Sequence, residues 1–352
     1  MGRPSGGVAL PRASEKPLSE IHDVALLDLD GVVYLGGAAV PGAADALTEA
    51  RHRGMRLAFV TNNASRTPAA IAAQLKSLGV PADAAEVVTS AQAAARLLAE
   101  RLPAGAPVLV VGGMGLRIAV RERGLRPVST ALDQPAAVVQ GYGPGIDYAL
   151  LAEGGLAVRA GAWFVASNAD LTLPTGRGLQ PGNGALVQVI ATATGEQPVV
   201  AGKPEPPLHA ESVERTGAKR PLVVGDRLDT DIEGAVRVGA DSLLVFTGVS
   251  RPADAVLAPG DRRPSYLAHD LSGLLEPQPE VTTDGAGKFR CGGWTARLTD
   301  GPAGSGGTDG LDIDGSGDAM DGLRALCAAA WSAGTVSPDS ARAAVARLPF
   351  PH

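Results

Sequence analysis

Residues 24–35, VALLDLDGVVYL, decide the fold. The first four, Val24, Ala25, Leu26 and Leu27, are continuously apolar rather than alternating. That pattern predicts a strand buried on both faces of a parallel sheet. Two acids follow, Asp28 and Asp30, and then Gly31. The carboxyl ends of such strands are where open α/β sheets bind ligands. Two carboxylates held together there repel each other. A hard cation such as Mg²⁺, which prefers oxygen ligands, relieves that repulsion. Read alone, the same residues also fit a strand followed by a surface Asp-Gly turn.

Three later segments narrow the choice. LAFVTNN (57–63) is an apolar run ending in Thr61, Asn62 and Asn63. VVAGKP (199–204) ends in Lys203, and LVVGDRLDTD (222–231) carries Asp226 with Asp231 five positions on. Each run delivers polar groups at its end: a carboxylate pair, a hydroxyl with amides, an ammonium, and a second carboxylate pair. Phosphoryl transfer needs such a set, with an attacking carboxylate, positive charge around the phosphoryl oxygens and a held cation. In this order the segments resemble the DxDx[TV], Thr/Ser, Lys and GDxxxxD motifs of the haloacid-dehalogenase-like phosphohydrolases.

The resemblance implies roles. Asp28 becomes the nucleophile that forms an aspartyl phosphate, and Asp30 the general acid and then base, its main-chain carbonyl also a metal ligand. Thr61, Asn62 and Asn63 bind phosphate, and Lys203 neutralises it and positions Asp28. Asp226 binds Mg²⁺ directly, with Asp231 orienting a metal-bound water. The implied activity is Mg²⁺-dependent hydrolysis of a small phosphomonoester. Glycerol 3-phosphate is the expected substrate. Alternatives are 2-phosphoglycolate, a nucleoside monophosphate, p-nitrophenyl phosphate, or a phosphoryl-binding module without catalysis.

Thr61 and Lys203 lie 142 positions apart, far more than a crossover between neighbouring core strands requires. The excess predicts an inserted domain, with strands at 107–111, 136–140 and 163–168. An insertion of this size and place resembles the cap of the NagD-like subfamily. The expected fold class is therefore α/β. It comprises a doubly wound Rossmann-like core sheet, a large inserted α/β cap domain and a small C-terminal α+β extension. The expected division is a disordered arm at 1–20, a core at 21–86 and 199–275, a cap at 87–198 and an extension at 276–352. Within the cap, NADLTLPTGRGLQPGNG (168–184) resembles the subfamily's substrate-specificity loop, which makes Asn168, Asp170 and Arg177 candidate contacts to the leaving group. Residues 280–299 read as a hairpin, 300–318 as a Gly-, Asp- and Ser-rich loop, and 319–333 and 338–348 as helices. The extension resembles part of a GNAT acetyltransferase fold, without the usual acetyl-CoA pyrophosphate loop.

LVVGGMG (109–115), with Asp133 downstream, imitates a dinucleotide-binding turn. That fingerprint needs a third glycine where this chain has Ile118. The chain has 352 residues and a formal net charge of −6, which argues against a nucleic-acid partner. The two cysteines suggest neither a disulfide framework nor a zinc site. No apolar run approaches a membrane span and no signal peptide is visible, so the expected place is the cytoplasm and the expected partner a small phosphorylated metabolite. A homodimer through the cap is the expected assembly. Lys16, Lys76, Lys203, Lys219 and Lys288 are the only lysines, which raises the significance of one that directly follows a buried strand.

Overall fold

The computed structural model describes residues 10–175, 177–285, 287–299, 310–333 and 335–350. The first third of the chain contributes helix α1 (Leu18–Ile21), strand β1 (Val24–Leu27) and a small hairpin of β2 (Tyr34–Leu35) and β3 (Ala38–Ala39). Helix α2 (Ala43–His52), β4 (Arg56–Thr61), α3 (Pro68–Ser77), β5 (Val87–Thr89) and α4 (Ser90–Arg101) follow. Thr67 and Thr89 start α3 and α4 by accepting the N–H groups of Ala70 and Gln92, as capping hydroxyls do. After the insertion come α8 (Pro206–Thr216), β13 (Pro221–Gly225), α9 (Glu233–Val238), β14 (Asp241–Val245), α10 (Pro252–Val256) and β15 (Tyr266–Ala268).

These strands form one parallel six-stranded sheet in the order β15-β14-β13-β1-β4-β5. All four residues of β1 are buried. Because β13, β1 and β4 are neighbours running the same way, Asp226, Asp28 and Thr61 emerge side by side along one edge of the sheet.

The insertion contributes β6 (Pro107–Val111), α5 (Met114–Glu122), β7 (Arg126–Val128), β8 (Ala137–Gln140), α6 (Tyr148–Arg159) and β9 (Trp163–Ala166). A hairpin, β10 (Thr172–Thr175) and β11 (Gly178–Pro181), follows, then α7 (Asn183–Thr194) and β12 (Val199–Val200). Its parallel sheet runs β12-β9-β8-β6-β7, so its strand order reverses between β6 and β8. The expected borders shift at both ends. Val87, Val88 and Thr89 pair with β4 in the core sheet, and Val199 and Val200 pair with β9 in the inserted one. Short valine runs fit the buried centre of either sheet, and only the register decides between them.

The C-terminal region contains β16 (Thr282–Thr283), β17 (Lys288–Cys291), β18 (Trp294–Thr299), β19 (Gly310–Gly315), α11 (Ala319–Ser332) and α12 (Pro338–Val345). Its four strands form an antiparallel sheet. Residues 310–315, expected as loop, pair with β18 along their whole length, because Leu311 and Ile313 turn inward on an otherwise Gly- and Asp-rich strand. Residues 316–318 are loop, as expected, and residues 300–309 lie outside the described residues. The expected disorder of the first twenty residues also fails from residue 10 on. Leu18 is fully buried, Arg12 meets Asp241 at 2.6 Å, and Ser14 bridges to Gln278. Residues 1–9 lie outside the described residues.

Candidate active site

Asp28 directly follows β1, and its N–H donates to Val224 O at 2.8 Å, which anchors it against β13. The Lys203 ammonium contacts Asp28 Oδ1, donates to Asp231 Oδ1 at 2.7 Å, and reaches Val60 O at 3.2 Å. Asp231 returns to this point because a wide helical turn at Leu228–Ile232 folds it back against Gly225, where any Cβ would overlap its side chain. Oxygens of Asp28, Asp226 and Asp231 lie within 4.8 Å of one another, the group of this kind found among the described residues. Burial raises the carboxyl groups of Asp28 and Asp226. Lys203 opposes that for Asp28, while the neighbouring Asp231 adds to it for both. Burial alone would lower Lys203, but Asp231 and Asp28 outweigh it and raise its pKa.

Asp226 is fully buried. Its Oδ2 accepts the Val249 N–H at 2.6 Å, while Oδ1 has no hydrogen-bond partner. A side chain at Gly31 would stand 2.5 Å from Asp226 Oδ2, and one at Gly248 would overlap it. Three carboxylates against one ammonium leave a formal shortfall of two positive charges. An all-oxygen donor set with that shortfall and an unpartnered buried oxygen fits a hard dication.

Asp30 differs from its neighbour: it is exposed, and its carboxylate is outside the three-acid group. Surrounding atoms raise its pKa, partly offset by the Gly36 N–H. Tyr34, which the sequence reading passed over, stands beside both acids. Burial, then Asp28 and Asp30, push its phenol up to about 12, so it stays protonated. Only its place four residues after Asp30 hinted at this.

Thr61 ends β4, and its Oγ1 accepts the Asn63 N–H at 3.1 Å. Asn63 Oδ1 closes the turn by accepting the N–H groups of Ser65 and Arg66, both at 3.1 Å. Asn62 faces the other way. Its side chain binds the main chain of Lys203 and the carboxylate of Asp170. Of the three candidates in the insertion, Asn168 is buried and donates to Asn62 O at 2.7 Å. Asp170 also reaches the site through Asn62, and Arg227 faces it electrostatically. Arg177 is not brought to them. It lies exposed at the tip of the β10–β11 hairpin, where its N–H donates to Thr175 Oγ1.

The glycines of the dinucleotide-like turn have a packing role. A Cβ at Gly113 would stand 2.9 Å from Ser65 Cα, and one at Gly115 would stand 2.5 Å from Arg66 O. The Gly115 N–H donates to Ser65 O at 3.0 Å. The crevice at the reversal of strand order, where such sheets bind ligands, is thus occupied by the chain's own loop after Thr61.

The chain is similar to several known proteins. The model of haloacid dehalogenase-like hydrolases matches residues 25–126, a second HAD-hydrolase-like model matches 200–274, and a GCN5-related N-acetyltransferase-like domain matches 291–349. The D-glycerol 3-phosphate phosphatase of Mycobacterium tuberculosis is 46% identical over 329 residues, 90% of this chain and 88% of that protein. The crystal structure of a glycerol phosphate phosphatase from the same organism, in complex with magnesium, superposes with a TM-score of 0.82 at 43% identity, covering 95% of this chain and 99% of that one. A 5'-nucleotidase of Bacillus subtilis, YutF, is 41% identical over 228 residues, 64% of this chain and 88% of its own.

Proposed function

Since the chain belongs to the haloacid dehalogenase-like hydrolases, we propose that it is a Mg²⁺-dependent phosphomonoesterase that converts glycerol 3-phosphate and water to glycerol and phosphate. The observation that carries this reading is the Lys203 ammonium shared by Asp28, at the end of β1, and Asp231, in the turn that follows the neighbouring parallel strand β13. A lysine so placed draws one carboxylate oxygen into a fixed direction and leaves the other for attack.

Asp28 attacks phosphorus, forming a carboxyl–phosphate bond as the ester bond breaks, and Asp30 gives its proton to the departing alkoxide. Asp30, now an exposed carboxylate, takes a proton from water. That water attacks the aspartyl phosphate and frees Asp28. Thr61, with the main-chain N–H of Asn62, holds phosphoryl oxygens, and Lys203 offsets their charge. Asp28, Asp226 and the Asp30 carbonyl would hold Mg²⁺, with Asp231 behind them. Bound there, the ion supplies positive charge for the phosphoryl oxygens. The inserted domain covers the site as a cap and selects the leaving group. The identity to a 5'-nucleotidase keeps nucleoside monophosphates as the competing substrate class.

The site's place and assembly follow the same reading. The free cysteines Cys291 and Cys327 suit a reducing cytoplasm, and among the described residues no helix is long and apolar enough to cross a membrane. Helices α6 and α7 frame an apolar groove of about 290 Å³ beside the exposed Tyr148 and Leu156, which suits a second copy of the chain.

A phosphate-release screen over small phosphomonoesters tests the reading. Glycerol 3-phosphate should give the highest kcat/KM, and chelation should abolish release until Mg²⁺ is restored. Asp28→Asn should release no phosphate. Release that survives Asp28→Asn would refute the nucleophile assignment, and a strong preference for a nucleotide would refute the substrate.

A further inference from the structure

A lysine stem has four rotatable bonds, so an ammonium that must sit between two carboxylates depends on how its main chain is held. Lys203 lies in a loop that enters the core from the inserted sheet. The Asn62 side chain grips it on both sides. Asn62 Oδ1 accepts the Lys203 N–H at 2.9 Å, and Asn62 Nδ2 donates to Lys203 O at 3.2 Å. This is the pairing that a neighbouring strand would make. The fit leaves no room for a side chain at Gly202, whose Cβ would stand 2.6 Å from Asn62 Oδ1.

A carboxamide has two hydrogens on nitrogen. With one turned to Lys203 O, the other faces the Asp170 carboxylate, whose oxygens lie 3.2 and 3.3 Å from Nδ2. Without that acceptor the amide could rotate away from Lys203. The Asn62 main-chain carbonyl accepts from Ser90 Oγ at 2.6 Å and from Asn168 Nδ2 at 2.7 Å. Asn62 is therefore the joint between the loop carrying Thr61, the lysine and the inserted domain.

We propose that Asp170 and the Asn62 carboxamide are positioning residues for Lys203, so that the seating of the inserted domain's loop controls phosphoryl transfer as well as the choice of leaving group. The proposal rests on the phosphatase reading above. It also makes a distinction that a leaving-group contact would not. Lys203 acts on the phosphoryl group, which is common to all esters, so a loss transmitted through Asn62 must be the same whatever the alcohol.

The test uses the full-length protein with Mg²⁺, assayed on glycerol 3-phosphate and on p-nitrophenyl phosphate. Wild-type turnover of either ester establishes the phosphatase reading by itself. Asp170→Ala should lower kcat roughly tenfold on both esters, the effect of one hydrogen bond to a charged group, with KM little changed. Asn62→Asp sets two carboxylates against each other and removes the donor. It should lose about a hundredfold, as small misplacements of catalytic groups do. The exchange Asn62→Asp with Asp170→Asn restores a donor facing an acceptor and should recover about tenfold of that loss. Melting curves accompany each variant. If Asn62→Asp does not fold, the Asp170→Ala comparison of the two esters decides alone. A loss confined to glycerol 3-phosphate and to KM would make Asp170 a leaving-group contact and overturn the relay. So would an exchanged pair no better than Asn62→Asp.

Discussion

Asp28 and Asp30 are two positions apart, yet one is drawn under Lys203 and the other is exposed. Asp30 should therefore matter most where the departing alcohol needs a proton. With p-nitrophenyl phosphate, whose phenolate leaves unaided, Asp30→Asn should show a burst of p-nitrophenol, then slow turnover with phosphate trapped on the protein. With glycerol 3-phosphate it should show no burst. Equal losses on both esters, without trapped phosphate, would reduce Asp30 to a structural part. Beneath the site lies His209, buried with neither ring nitrogen partnered. Burial, with Lys203 adding to it, pulls its pKa down to about 3. The unfolded chain takes up a proton near pH 6.5 that the folded chain refuses, so stability falls as pH drops below that value. The effect is about 2 kcal/mol by pH 5. His22, also lowered by burial, adds in the same direction. The fall in melting temperature between pH 7 and pH 5 should be smaller in His209→Leu than in wild type, and an unchanged fall would reject this account. At this scale the motif residues were legible because their chemistry is rare at such spacing. The second use of Asn62 was not, because its partners lie 108 and 141 positions away.

Periodicity and caps marked most helices and strands, and the errors fell where an element owes its place to a distant partner. The valines at 87–88 and at 199–200 look alike, and pairing alone sends them to different sheets. Helix α5 makes the same point. Its glycines imitate a cofactor turn, and the reason for them is the main chain of Ser65 and Arg66 pressed against them. Alanine at Gly115 would place its Cβ 2.5 Å from Arg66 O and 2.8 Å from Ala64 O, both main-chain atoms. Overpacking of this kind costs about 1–3 kcal/mol, more than the roughly 1 kcal/mol that alanine gains over glycine in a helix. Gly115→Ala should therefore melt at lower temperature. It should also lose kcat, since the displaced loop begins at Thr61. A variant as stable and as active as wild type would show that the two elements yield to each other without strain.

The prolines at 277 and 279 and the lack of motifs beyond them marked off the C-terminal region in the sequence. Its shared core was hidden. Phe289, Trp294, Leu323 and Trp331 pack in one cluster with Ile232, Leu244, Val256 and Leu267 of the parallel-sheet layer. Polar ties reinforce the contact: Trp331 donates to Ala255 O at 3.1 Å, and the buried Arg324 to Leu267 O at 2.8 Å. Trp331→Ala should cost about 3–5 kcal/mol while leaving kcat within twofold, since the acids and Lys203 lie outside this cluster. Deleting residues 276–352 should expose Leu244 and Leu267 and give a protein that aggregates well below the wild-type melting temperature; an equally stable truncation would refute the shared core. The parallel sheet has a consequence of another kind, in the order of synthesis. Val24 in β1 pairs with Pro221 in β13, and the ribosome makes the first 197 positions before the second. At 5–20 residues per second the central strand waits about 10–40 s for its neighbour. The inserted sheet needs only residues between 107 and 200 to complete its ladder, so it is whole while the catalytic sheet is still half-built. Ribosome-bound chains stalled shortly after β12 emerges should already protect the inserted sheet from a protease pulse, with residues 24–61 still cut. Chains that protect both segments at that point would mean that the core closes without β13.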